Sequence, residues 1–267
     1  DKTIGRVTAW FDHATDLLNP DPRRVYLTGH SMGGHGTWQI GAHFAGRFAA
    51  IAPSAGWISF WSYSGAEAYE GGTPLENILR RAASPSDTLA LKSNYLQQGV
   101  YILHGDADDN VPVDQARQMR KVLGEFHPDF AYYERPGAGH WWGNECVDWP
   151  PLMDFLRAHA RPAAANTVRF TTSSPGVSAA CDWVTIYSQT EQLKPSSIDL
   201  RVVSEPRSKG DEAERSGPSI ATIRGTTGNV EALWLDIAAA LRQLPADPAR
   251  STDELALQLD GQDLPLV

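Results

Sequence analysis

Gly29-His30-Ser31-Met32-Gly33 places a hydroxyl between two glycines, after the apolar run Val25-Tyr26-Leu27-Thr28 and before a helical pattern. A serine in Gly-x-Ser-x-Gly at a strand-to-helix junction sits on a turn so tight that its side chain is forced outward. Any Cβ at Gly29 or Gly33 is expected to collide with neighbouring backbone. The Met32 N–H, at the start of the helix, is expected to face a developing oxyanion. Ser31 is therefore a candidate nucleophile and Met32 a candidate backbone donor. Five residues alone are weak evidence, since the pattern arises by chance in about one chain in ten of this size. Its flanks and two downstream segments carry the argument.

The first of these is Gly99-Val100-Tyr101-Ile102-Leu103, which runs into His104-Gly105-Asp106-Ala107-Asp108-Asp109-Asn110-Val111-Pro112. A helix is expected over residues 113–123. The second is Phe130-Ala131-Tyr132-Tyr133-Glu134, which leads through Gly137-Ala138-Gly139 to His140. Groups at the carboxyl ends of successive parallel strands converge on one edge of the sheet. Ser31, one of Asp106, Asp108 or Asp109, and His140 would then share a rim. A serine hydroxyl is a poor nucleophile unaided. A histidine that takes its proton, held in the correct tautomer by a carboxylate, makes acyl transfer feasible.

The elements that must position these groups can be read around them. A helix covers residues 36–43 and a strand residues 48–53. An excursion of roughly 40 residues follows, rich in aromatics at Trp57, Phe60, Trp61, Tyr63 and Tyr69, with a helical stretch near Leu75–Ala83. Trp57 fits either an aromatic wall for an acyl or peptide side chain or a packing cluster. His30, Trp141 and Trp142 are further pocket candidates by position, although for His30 and His104, at strand ends near the rim, packing is the expected role over lining the site. Trp149-Pro150-Pro151 opens a closing helix with Leu152, Phe155 and Leu156 on its buried face.

Past the hinge-like stretch Arg161–Asn166 the pattern changes to period two. Strands are expected over 167–172, 181–187 (Trp183 and Tyr187 on one face), 198–203, 219–223, 233–237 and 255–259, with 204–217 a solvated loop. The expected organisation is α/β over residues 1–162 and an all-β, sandwich-like accessory domain over 163–267.

The motifs G-H-S-M-G-G, H-G-D-A-D-D-N-V-P and G-A-G-H together give the chain a resemblance to the catalytic domain of the prolyl oligopeptidase family, over roughly residues 1–160. The family's H-G-x-x-D-x-x-V falls on His104, Gly105, Asp108 and Val111, and so selects Asp108 among the three acids. The resemblance implies an α/β-hydrolase fold and Ser31, Asp108 and His140 acting through an acyl-enzyme. It also implies a peptide or ester substrate. In the family an amphipathic helix precedes the elbow strand, which Ile4, Val7, Phe11, Ala14 and Leu18 match. The earlier strands and the loop carrying a second oxyanion donor have no counterpart here. A fragment with one open sheet edge, poorly soluble and inactive by itself, is the expectation.

Composition narrows the classes further. The 267 residues carry 23 Lys and Arg against 32 Asp and Glu, a net charge of −9, with no basic stripe for nucleic acid. No apolar run is long enough to span a membrane. Asp106-x-Asp108-x-Asn110 begins like a calcium loop, but its sixth position is Val111 and its twelfth Arg117, so no metal or other cofactor is expected. Cys146 and Cys181 are either a cross-domain disulfide or two buried thiols. Asp1 opens no signal peptide, and the compartment stays open, with a secreted or periplasmic setting the expectation. The alternatives are a carboxylesterase or carbohydrate esterase, and a non-catalytic binding protein on a hydrolase scaffold. The accessory domain either docks on the catalytic half or binds glycan.

Overall fold

The computed structural model describes residues 21–63, 72–206, 219–246 and 255–264. The helix expected over residues 4–18, Tyr69, and most of the charged loop after residue 206 lie outside them. The chain divides into two compact units, Asp1–Arg161 and Pro162–Val267.

The first unit holds a four-stranded sheet in the order β1-β2-β3-β4, formed by Tyr26–His30, Ala50–Ser54, Gly99–Gly105 and Phe130–Arg135. Every neighbouring pair is parallel. All four strands therefore end on the same edge, where Ser31, Ser54, the 106–111 loop and the His140 loop emerge. All residues of β2 and β3 are buried, which is why they read as continuous apolar runs rather than alternating ones. β1 is half-buried, as fits its place at one end of this sheet.

Helices cover both faces. α1 (Met32–His43) and α4 (Asp114–Gly124) pack Trp38, Ala42, Met119 and Leu123 against Ile51, Val100 and Ile102. On the opposite face Ala50, Ala52, Tyr101 and Leu103 meet Leu152 and Leu156 of α6 (Pro150–Ala158), which follows the short α5 (Glu145–Asp148). Alternate residues of β2 and β3 thus serve opposite layers, as the period of two in a strand requires. In the excursion, α2 (Phe60–Tyr63) precedes α3 (Pro74–Ala83), which begins with a capping box between Thr73 and Glu76.

The second unit contains a five-stranded sheet, Gln262–Leu264 (β12), Leu255–Leu259 (β11), Ser219–Gly228 (β9), Ser196–Pro206 (β8) and Thr167–Thr172 (β5), in that spatial order. A three-stranded sheet joins Ala232–Leu235 (β10), Val184–Ser188 (β7) and Ala180–Cys181 (β6). Pairs are antiparallel except β9 with β11. Both sheets contribute to one apolar cluster, including Phe170, Leu200, Val184, Ile186 and Ile223.

Two expectations are corrected here. Residues 181–187 do not form one strand: Asp182 adopts a positive φ of 50°, and the chain turns between β6 and β7. Trp183 is consequently buried, its indole N–H donating to the Ala165 carbonyl, whereas Tyr187 is exposed. The strand at 233–237 stops at Leu235. Asp236 then caps a short helix, α7 (Ile237–Leu241), by accepting from the Ala239 N–H at 2.8 Å.

Candidate active site

Ser31 leaves β1 with φ 59° and ψ −117°, a conformation that non-glycine residues rarely adopt and that the surrounding structure must hold in place. Its N–H donates to the Ser54 carbonyl at 2.9 Å, so the end of β2 fixes the turn. Its hydroxyl makes no capping bond to α1 and is left for other work. A Cβ on Gly29 would lie 2.5 Å from the Gly33 carbonyl oxygen, so Gly29 is sterically required. Gly33 is not: a Cβ there meets nothing within 4 Å, because the residue lies on the exposed side of the first helical turn. The second close approach belongs to Gly34, whose Cβ would sit 2.3 Å from the Ser54 carbonyl oxygen, with Gly56 also packed against it. The Met32 N–H is the first of α1, where a helix offers no internal acceptor.

The three acids of the 106–109 loop have separate surroundings. Asp108 has a fully buried side chain. Its Oδ1 accepts the Asn110 and Val111 N–H groups, each at 2.9 Å. Both carboxylate oxygens lie close to His140 Nδ1, at 3.0 and 2.9 Å. Asp106 is exposed and accepts the Gly137 N–H at 2.5 Å, tying the loop that carries His140 to the acid loop. Asp109 is exposed. Gly105 completes the join, since a Cβ on it would lie 2.3 Å from the Ala138 carbonyl oxygen. Nothing in the sequence marked Asp106 or Gly105 for this work, because their partners lie about 30 residues away.

His140 Nε2 lies 2.9 Å from Ser31 Oγ. A carboxylate can only accept, so Nδ1 carries the proton facing Asp108 and Nε2 is left to accept from the serine hydroxyl. Burial pushes the Asp108 carboxyl upward. The His140 hydrogen bond and the Val111 and Asn110 N–H groups outweigh it, and the net shift is below the ordinary carboxylate value. Asp108 is therefore ionised at neutral pH.

Of the four pocket candidates, His30 and Trp141 lie beside this line. The His30 ring centroid is 4.9 Å from that of His140 and 5.3 Å from that of Trp141, which meets it edge-on and is 59% exposed. His30 Nδ1 reaches Ser54 Oγ at 3.2 Å. Trp57 is sandwiched between the rings of His35 and Tyr63, at 4.5 and 4.7 Å, with its indole nitrogen buried and unpartnered. Trp142 belongs to a different cluster, against Trp149 and under the Arg135 guanidinium at 4.8 Å, where it packs rather than lines. His104, weighed above mainly as a packing residue, has its side chain fully buried with Nε2 3.2 Å from Asp108 Oδ2. Cys146 and Cys181 are both buried, and neither is in a disulfide. Among the described residues no three His, Cys, Asp or Glu side chains gather as metal ligands, and no helix is long and apolar enough to cross a membrane.

The sequence model of the prolyl oligopeptidase family matches residues 2–160. An uncharacterized secreted protein of Arthroderma benhamiae is 34% identical over 154 residues, which cover 56% of this chain and 16% of that protein. Dipeptidyl peptidase 4 of Bos taurus is 32% identical over 117 residues, 41% of this chain and 14% of that enzyme. The chain thus spans 16% or less of the length of these relatives. Among solved structures, a thermostable esterase aligns with a TM-score of 0.41 at 24% identity, covering 60% of this chain and 38% of its own. The acylaminoacyl peptidase of Pyrococcus horikoshii aligns at 0.40 with 21% identity, covering 49% and 22%.

Proposed function

The chain belongs to the prolyl oligopeptidase family of serine hydrolases, and from that premise we propose that it cleaves peptide bonds, or the chemically easier ester bonds, through an acyl-enzyme on Ser31. The observation that carries this reading is the unbroken line Ser31 Oγ, His140 Nε2, His140 Nδ1, Asp108 carboxylate, with each link at 2.9–3.0 Å. Ser31 attacks the carbonyl carbon while His140 takes its proton. The imidazolium then returns that proton to the departing amine or alcohol, and water repeats the sequence to release the acid. Asp108 stays ionised throughout, fixing the tautomer and stabilising the imidazolium. The Met32 N–H, at the positive end of α1, serves the oxyanion.

Peptidase is the first reading because the related dipeptidyl peptidase 4 is named for that activity. The same four groups serve an ester equally. The aromatic set around Trp57 and the exposed Trp141 would take the apolar parts of the substrate. The second unit we take for an accessory β-sandwich domain.

Treatment of the protein at its full natural length with a fluorophosphonate tests the reading. Covalent labelling of the native protein, abolished by Ser31→Ala and by prior denaturation, is the expected result. Labelling that survives Ser31→Ala contradicts Ser31 as the nucleophile, and no labelling at all favours a binding protein on a hydrolase scaffold.

A further inference from the structure

His104 is the penultimate residue of β3, four residues before Asp108, and its side chain is fully buried. Its Nε2 faces two acceptors, the Val111 carbonyl at 2.9 Å and Asp108 Oδ2 at 3.2 Å. Neither acceptor can supply a proton, so the hydrogen resides on Nε2, bonded to the Val111 carbonyl with Oδ2 3.2 Å away. Nδ1 is buried with no partner. A second proton there would have nothing to bond, and the ring is neutral. Burial, the largest influence, pushes the imidazole below the ordinary histidine value against the opposing pull of Val111 and Asp108.

A residue needed only to fill this volume would be apolar, since an imidazole leaves one nitrogen desolvated and unsatisfied. The polar edge has a use on its other side. The loop from Asp108 to Val111 is closed twice: the Val111 N–H donates to Asp108 Oδ1, and the Val111 carbonyl accepts from His104. Without His104, Oδ2 would keep only His140, and the loop would hold the carboxylate through Oδ1 alone. A neutral donor also stabilises the Asp108 anion without adding a second cation beside the imidazolium that forms at His140.

We propose that His104 is a positioning residue, whose single Nε2–H, bonded to the Val111 carbonyl beside Asp108 Oδ2, fixes the carboxylate that orients His140. The inference rests on the assignment of Ser31, His140 and Asp108 made above. It concerns a group that touches no substrate atom and acts wholly through Asp108.

The test compares His104→Phe, His104→Gln and the native sequence, each in the protein at its full natural length, on an activated aryl ester. The downfield proton resonance of His140 Nδ1–H is recorded for each. Glutamine places an amide N–H close to the imidazole Nε2 position, whereas phenylalanine keeps the volume and removes the donor. His104→Phe is expected to lose about 100-fold in kcat with KM little changed, the scale of a misplaced catalytic group. His104→Gln should recover to within roughly threefold of the native rate, since the donor and hence the geometry are kept. The downfield resonance should shift or broaden in His104→Phe and return in His104→Gln. If His104→Phe does not melt cooperatively, His104→Asn, whose shorter amide stops short of both acceptors, takes its place.

A folded donor-less variant with native kcat and an unmoved resonance overturns the proposal. So does a His104→Gln variant as impaired as the Phe variant, which would mark a packing role. A native chain without Ser31-dependent turnover removes the functional reading instead, and the resonance comparison still decides the role of His104.

Discussion

Titratable side chains meet in two places that obey opposite rules. At the rim of the parallel sheet in the first unit, Asp108 and His104 have no exposed side-chain surface, and the carboxylate meets two loop N–H groups, His140 and the strand residue His104. On the five-stranded sheet of the second unit, Arg169 and Asp199 face each other across β5 and β8 at 2.8 Å with about half of each side chain in solvent, 58% and 50%. The distances are similar. The cost of losing a partner is not. A buried charge deprived of its hydrogen bonds has no water to turn to, while an exposed one is rehydrated at once. Short ion-pair distance therefore says little about importance, and burial says most.

The largest expected effect comes from breaking the buried set. Asp108→Asn should leave the fold intact, because the side chain keeps its shape and an oxygen to accept the Asn110 and Val111 N–H groups. Its amide, however, would donate toward His140 Nδ1 and force the proton onto Nε2, where it can no longer accept from Ser31. A loss of roughly 10⁴ in kcat is expected on an activated ester. A loss below tenfold would show that Asp108 does not set the tautomer.

A second, smaller effect separates the units by pH. Burial pushes His35 and His43 below the ordinary histidine value of 6.5, against the pull of the Trp57 and Pro85 carbonyls that each ring meets. His104 behaves likewise. The unfolded chain takes up these protons as pH falls through 6.5 and the folded chain does so only lower. The stability contributed by the neutral rings is thus complete above pH 6.5 and lost progressively below it. All three lie in the first unit, so that unit should account for the slope. Each histidine adds up to about 1.4 kcal/mol per pH unit within its window. Urea unfolding between pH 7 and pH 5 measures this. His43→Gln, which keeps a donor for Pro85 and removes the titration, should reduce the slope by about one proton. An unchanged slope in that variant would mean that His43 is already accessible to protons in the folded chain.

The first unit was the more legible of the two in the sequence, for a physical reason. Parallel strands buried on both faces produce unmistakable apolar runs, as at Val100–Leu103, and each ends in a glycine-marked loop that announces a functional rim. Strand-end positions for Ser31, an acid of the 106–109 loop and His140 followed from those runs, and the choice of Asp108 from the family resemblance alone. The sequence could not supply contacts formed across sequence distance, such as Asp106 with Gly137, or Gly34 rather than Gly33 against Ser54. In the second unit alternation located the strands but misjudged where they stop. Residues 181–187 alternate well enough for one strand, and only the positive φ at Asp182 reveals the turn. Asp236 is a stop that the pattern at 233–237 concealed, because a capping aspartate and a strand-terminal aspartate look alike until the chain beyond is seen to coil.

The smallest effect is expected on the exposed ladder, and it is the sharpest check on the contrast. Asp199 pairs in register with Arg169 on β5 and Thr226 on β9, while Arg201 lies directly opposite Arg224, which draws on Glu205. Like charges placed opposite each other are mildly unfavourable, and the neighbouring acids moderate this. Asp199→Asn deletes one moderating charge but keeps the strand, the register and a hydrogen-bonding side chain. The change in unfolding free energy should stay within about 0.5 kcal/mol and shrink further in high salt, and turnover should be unaffected. A loss well beyond that, persisting in salt, would mean that the arginines on this face act as a coupled network. Burial alone would then no longer distinguish the two sets of charges.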